Sequence, residues 1–553
     1  MGKLFREFND EKWEQVRTHP YYAKLREGVA KKAEEYLATE PPRVKFSDIH
    51  LFATTGNRTV FQAVFGNYQN RMEHYFFMYL LTKDEKYIEP LADIMWNIMD
   101  FETWTIPAHV REELPEEARK RFLDLTSTIM AFRISEIVYF IGDKLPELVT
   151  KRAKYEVRYR LIDSFKNYKG GWLTVKHNWA AVCCGATLAT YLYMAEKEEI
   201  DEQLPRLMEG IENYLLGFDD EGCCLEGIGY WNYGFSHFCL FASMLRDYTD
   251  GEVDLFKIPK VHEIAKFQQN SAINSRQAIS FSDAGSVFSA NGWLSHFLKN
   301  EFPDIEIPSI PPASGGAVLR YVLWQDPDLA ENEMNPKSKI FHDAQWFIYR
   351  SEPYNFVCKG GHNSEPHNHN DVGSFIISKN GKTTFTDPGG GEYTRQYFAA
   401  DTRYKHLCCS SRGHSVPIIN GCEQVIGRNK STVYEETETR YSFSMENAYE
   451  VSTLTGLKRS FVCEQDGITL TDEYTFSEKP ESVIERIVSL TEITIDGDTA
   501  RCGESIMKFD PNAVDATVSI GTLERPNSNN KLWMLDLKVK APEENIKLTF
   551  RFI

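Results

Sequence analysis

Between about residue 10 and residue 300, apolar side chains recur three and four positions apart, in pairs of segments joined by short polar turns. Residues 74–81 run into 88–96 across Thr82-Lys83-Asp84-Glu85; 123–141 is followed by 147–165, 180–196 by 202–216, and 235–246 by 261–268. Pro146 stands at the head of one helix, where its missing N–H costs least. Residues 303–316, PDIEIPSIPPASGG, hold four prolines and end on two glycines, which no regular helix tolerates. Beyond them the texture changes. Short runs rich in aromatic and β-branched residues (346–350, 356–359, 374–378, 383–387, 416–419, 468–476, 484–490 and 546–553) read as strands. Asn380-Gly381 is a two-residue hairpin signal, and Asn420-Gly421 follows another strand. The pattern predicts a multi-domain α + β chain: a helical domain over 1–302, a linker over 303–318, and an antiparallel β-sandwich over 319–553.

Composition narrows this picture. A chain of 553 residues exceeds the roughly 250–300 at which a single core stops growing. No window offers about 18 continuous apolar residues, so no membrane span is expected. The first ten residues lack an apolar stretch, so no secretory signal is expected. The 11 cysteines are odd in number and contain no C-x-x-C pair, which points to free thiols in a reducing compartment and to a cytoplasmic protein. A net charge of −18 argues against nucleic-acid binding. It also means that an acidic substrate needs a locally basic or metal-assisted site.

Chemistry-bearing residues concentrate in three places. The first is GHNSEPHNHND at 361–371, followed by Asp387-Pro388-Gly389-Gly390-Gly391 and Arg412-Gly413-His414-Ser415. His369, Asp387 and His414 are candidate ligands for a divalent cation, because zinc favours imidazole nitrogen and carboxylate oxygen. On an extended strand His367 and His369 would point the same way; a polar loop that bonds locally is the plainer reading. The second is Lys176-His177-Asn178-Trp179 at the head of a helix, either a pair of donors for a carboxylate or a helix cap. The third is EGIGYWNYG at 226–234, in which Tyr230 and Tyr233 are either proton carriers or aromatic packing. Asn57, Arg58, Gln62, Trp104 and His109 are further sugar-facing candidates, with a core role as the alternative for Trp104.

Together these segments resemble the heparinase II/III superfamily of polysaccharide lyases, which includes related alginate lyases. The resemblance runs through most of the chain. It implies an N-terminal incomplete (α/α) toroid followed by an antiparallel β-sandwich, with a structural zinc held by His369, Asp387 and His414. It implies Tyr230 as the catalytic tyrosine with Tyr233 as its rival, His177 and Asn178 facing the substrate carboxylate, and His367 as a second catalytic histidine. Arg58, Trp104, Tyr233, Tyr404 and Arg412 would bind substrate. Two departures stand out: His414-Ser415-Val416 replaces the usual His-Asn-Thr, and many relatives carry an export signal.

The implied reaction is β-elimination at a uronic acid, leaving a C4–C5 double bond. His177 and Asn178 would neutralise the carboxylate so that the C5 proton can leave. Tyr230, or His177 for the opposite epimer, would take it, and Tyr230 would protonate the C4 oxygen. The expected partner is an anionic uronate oligo- or polysaccharide, with heparin or heparan sulfate, chondroitin and alginate all open. A homodimer is open as well. Two other classes stand against this reading. An (α/α)-toroid glycoside hydrolase needs paired carboxylates, for which Glu226 and Asp371 are the candidates. A non-catalytic, zinc-stabilised carbohydrate-binding protein needs no proton carrier.

Overall fold

The computed structural model describes residues 10–274, 277–287, 291–308, 319–329, 336–525 and 530–553. By contact the chain forms two units. One comprises Met1–Phe218, Trp231–Ala265 and Ala290–Glu333, the other Asp219–Tyr230, Lys266–Ser289 and Met334–Ile553. The sequence divides the chain once, at 303–318. Here two stretches of the helical half, 219–230 and 266–289, cluster with the β half, while the helix Leu319–Trp324 clusters with the helical unit. Of the expected linker, 309–318 lies outside the described residues.

The helical unit is built from the expected pairs. Thr59–Thr82 is followed by Ile88–Asp100, Leu125–Ile141 by Glu147–Val157, and Asn178–Met194 by Lys197–Leu215. Lys83 ends the first helix in a left-handed conformation, and an Asp124–Ser127 capping box starts Leu125–Ile141. The segment read as one helix over 147–165 passes through a single π turn at Arg158–Ile162. Asn178–Met194 is buried from Ala180 to Tyr193 and packs against both Leu125–Ile141 and Lys197–Leu215. Its small residues allow this. A Cβ on Gly185 would lie 2.6 Å from the His237 carbonyl oxygen, so only glycine lets that backbone come so close.

The β unit is antiparallel in every described pairing of its large sheets. One sheet has eight strands, with Asn545–Phe552, Gly467–Phe476 and Leu454–Glu464 at its centre. A four-stranded sheet is built on Lys531–Val539 and Val483–Ser489, and a five-stranded one on Trp346–Ser351 and Tyr354–Lys359. One apolar core joins the three, with Phe356 against Phe461 and Phe347 stacked on Tyr441. This is the sandwich that strand alternation predicted. Asn380 and Gly381 both have positive φ and turn the chain between the paired Lys379 and Lys382, as the hairpin signal requires. The regular strand there is only Lys382–Thr383, and beyond it Thr384 and Phe385 keep backbone hydrogen bonds to Ile377.

Candidate functional site

The chemistry of the β unit converges on a residue that no motif marked. The Asp283 side chain is fully buried. Its Oδ2 accepts from His367 Nδ1 at 2.6 Å, and its Oδ1 accepts from His369 Nε2 at 3.0 Å and from the Arg403 guanidinium at 3.1 Å. The Tyr397 hydroxyl donates to Oδ1 as well, and the Tyr393 hydroxyl lies 3.4 Å from Oδ2. Burial alone would raise this carboxyl, but the hydrogen bonds from His367 and His369, with the charges of His369 and Arg403, hold it well below the usual carboxylate range.

Glycines bring the parts together. Gly227 has a φ of 90°, and a Cβ there would sit 2.4 Å from the Ala284 Cβ. Gly389 has a φ of 67°, and its Cβ would lie 2.2 Å from the Ala284 carbonyl oxygen. The EGIGY segment and the Asp-Pro-Gly turn therefore close on the residue that follows Asp283, which neither could do with a side chain in place. His367 is itself left-handed, with a φ of 54°. Of the two readings the segment is thus the loop and not an extended strand, and its two imidazoles share a target because both are tied to Asp283.

Tyr230 lies beside this hub. Its hydroxyl meets the Tyr393 hydroxyl, and its ring lies 4.6 Å from the His367 ring, centroid to centroid. Burial raises the Tyr230 phenol above its ordinary value, so at neutral pH it is present as the phenol. His367 is 24% exposed at its side chain, and its Nε2 lies 3.4 Å from Glu226 Oε1. Burial raises the Glu226 carboxyl as well.

His369, Asp387 and His414 are each fully buried, and each offers a ligand atom within 4.8 Å of the others. A second group, Asp283, His369 and Cys409, meets the same criterion. The polar atoms of the first group fit a cation. His369 Nδ1 is buried without a hydrogen-bond partner among the described residues. His414 directs Nδ1 at Asp387 Oδ2 (2.8 Å) and Nε2 at the Cys408 carbonyl (2.9 Å), so a neutral imidazole is one proton short. A divalent cation would take the place of that proton. Without one, the Asp387 charge holds the His414 pKa up at about 9 despite burial. The set of two imidazoles and a carboxylate suits zinc.

The remaining expectations fall as follows. In the helical unit, His177 caps Asn178–Met194 by accepting from Trp179 N, and Asn178 is buried next to Gly234. Arg58 stands before Thr59–Thr82 and donates to Gln62. Tyr233 is half-buried, with its ring against His237. Trp104 is corrected. It is 1% exposed, its indole N–H donates to the Ile98 carbonyl at 2.9 Å and Arg160 covers its face, so it is core and offers no surface for a sugar ring. In the β unit, the Tyr404 hydroxyl donates to Asn368 Oδ1 at 2.9 Å. Arg412 is exposed and paired with Glu423, while the arginine that reaches the hub is Arg403. Asp371 is held by Lys359 Nζ at 2.9 Å in a fully buried pair, so it does not form a carboxylate pair with Glu226. Asp283, Tyr393, Tyr397, Arg403 and Cys409 were missed. Gly227, Gly389 and Gly390 were the one trace of Asp283, since such glycines mark a close neighbour without naming it.

Residues 333–499 match the family model described as Heparinase II/III-like, C-terminal. No curated protein matches the chain by sequence. Among solved structures, heparinase III aligns with a TM-score of 0.63 at 13% identity over 100% of this chain and 93% of that one. A mutant of heparan sulfate lyase HepC from Pedobacter heparinus gives 0.61 at 12% over 99% and 91%. Chondroitin AC lyase from Streptomyces coelicolor A3, in complex with chondroitin sulphate, gives 0.57 at 10% over 98% and 82%. Residues 333–499 thus resemble the heparinase II/III-like C-terminal family, and the chain as a whole has the fold of heparinase III.

Proposed function

We propose that this protein is a polysaccharide lyase that cleaves uronate-containing glycans by β-elimination. The observation that carries this is the pairing of the Tyr230 phenol with His367, a proton donor and a basic nitrogen side by side in a chain with the heparinase III fold. Because His367 Nδ1 donates to Asp283, the basic lone pair is on Nε2. That nitrogen takes the C5 proton, and Tyr230, present as the phenol, gives its proton to the departing C4 oxygen. A zinc ion held by His369, Asp387 and His414 would brace the loops carrying these groups. His177 and Asn178 keep the carboxylate-neutralising role that the resemblance implies.

The hydrolase reading named Glu226 and Asp371 as its carboxylate pair, and Asp371 is instead locked to Lys359. The test is a panel of heparan sulfate, chondroitin, hyaluronan and alginate, as polymers and oligomers, followed by ultraviolet absorbance of the unsaturated product. Absorbance that rises on at least one uronate glycan is expected, and cleavage that creates reducing ends without the chromophore would overturn the reading. We also propose a reducing, cytoplasmic setting, because all 11 cysteines are free thiols. Recovery of the protein outside the cells that make it would refute that setting.

A further inference from the structure

We infer that Asp283 is the positioning residue that links the candidate metal group to His367, so that the state of the metal ligand His369 sets the orientation of the catalytic imidazole. The inference rests on the lyase reading for its catalytic consequence, but its physical content does not.

The geometry is specific. One carboxylate serves two histidines through different oxygens: Oδ2 takes the Nδ1 proton of His367 at 2.6 Å, and Oδ1 takes the Nε2 proton of His369 at 3.0 Å. Holding His369 by Nε2 leaves Nδ1 as its lone-pair nitrogen, and that is the buried atom without a hydrogen-bond partner among the described residues. A carboxylate behind a ligand histidine fixes its tautomer and ring plane and raises its basicity. Holding His367 by Nδ1 fixes its tautomer in turn. The remaining contacts of the carboxylate tie it to the His367 loop. Arg403 Nη2 holds Oδ1 at 3.1 Å and is bonded to the carbonyls of His367 and Asn368, and Tyr397 donates to the same oxygen. A shift of His369 on losing its metal therefore moves Oδ1, and Oδ2 with it, as one rigid group.

The experiment uses the full chain with 13C-labelled histidine. His367→Gln identifies the His367 ring signals, and metal is removed by a chelator and restored as zinc alone. Metal removal is expected to shift the His367 signals in the parent and to leave them in place in Asp283→Asn. That variant should hold zinc ~10- to 100-fold more weakly and lose roughly 100-fold in kcat with KM within about threefold. His367 signals that stay put on metal removal from the parent would overturn the inference, as would Asp283→Asn with parental zinc affinity and kcat. Should Asp283→Asn fail to fold, the parent spectra with and without zinc still decide. Should the parent make no unsaturated product, the lyase reading fails while the spectra and zinc affinities still test the link.

Discussion

Among the described residues, the β unit buries two arginines against carboxylates, and they behave differently. Arg459 sits among strands. Its guanidinium bonds Asp472 through two nitrogens (shortest 2.6 Å), Glu485 at 3.0 Å, and the carbonyls of Gly373 and Ser415. Asp472 and Glu485 come from Gly467–Phe476 and Val483–Ser489, strands of two different sheets, and all three side chains are fully buried. Arg403 sits among loops, and the partners of its carboxylate, Asp283, include His367, which reaches solvent. Both clusters place charge where water cannot screen it. The Arg459 cluster closes on itself, so its charge can only hold strands together. The Arg403 cluster has an open edge of imidazole and phenol, so its charge is available to orient groups that carry protons.

The largest expected effect tests the open edge. Tyr230→Phe should lower turnover by about 1,000-fold or more and leave the melting temperature within about 2 °C, measured by product absorbance and calorimetry. A fall of less than about tenfold would move the proton-donor role away from Tyr230 and remove the distinction between the clusters. The next effect tests the closed one. Arg459→Met should cost about 3–5 kcal/mol in urea unfolding, because it strands two buried carboxylates. Turnover per folded molecule should stay parental. A cost below about 1 kcal/mol would show that the cluster is not a stability element.

The same contrast explains what the sequence could reveal. The helices of the first unit and the central strands of the second were legible because each depends on a local period of apolar residues. Asn380-Gly381 was legible because a two-residue turn needs those φ values. His369, Asp387 and His414 were legible because imidazole and carboxylate among glycines is an unusual composition. Asp283 was not. It lies in an ordinary stretch, Ser280-Phe281-Ser282-Asp283, and its role arises only when loops more than eighty residues away fold onto it. The choice between Arg403 and Arg412 was equally hidden, since only eight residues separate a buried guanidinium from an exposed one. Trp104 was misplaced for the opposite reason: a tryptophan in a break between helices looks alike whether its face meets solvent or, as here, Arg160.

A third arginine–carboxylate cluster, in the helical unit, gives the smallest expected effect and extends the comparison toward solvent. Glu199 accepts from Arg158 through both oxygens, at 3.1 and 2.9 Å, and from Lys166 at 2.7 Å, with its side chain 19% exposed. The Arg158 and Lys166 hydrogen bonds hold its carboxyl well below the usual range. A depressed carboxyl contributes stability above its unfolded value of about 4.3 and loses that contribution as pH falls toward the folded value. Glu199→Gln should therefore cost about 1 kcal/mol near pH 7, less than Arg459→Met because water and salt screen the pair. The gap between parent and variant should narrow as the pH is taken below about 4. Urea unfolding of both proteins across that range measures it. A gap that stays constant would mean that Glu199 acts through packing rather than charge, and that exposure does not grade these clusters.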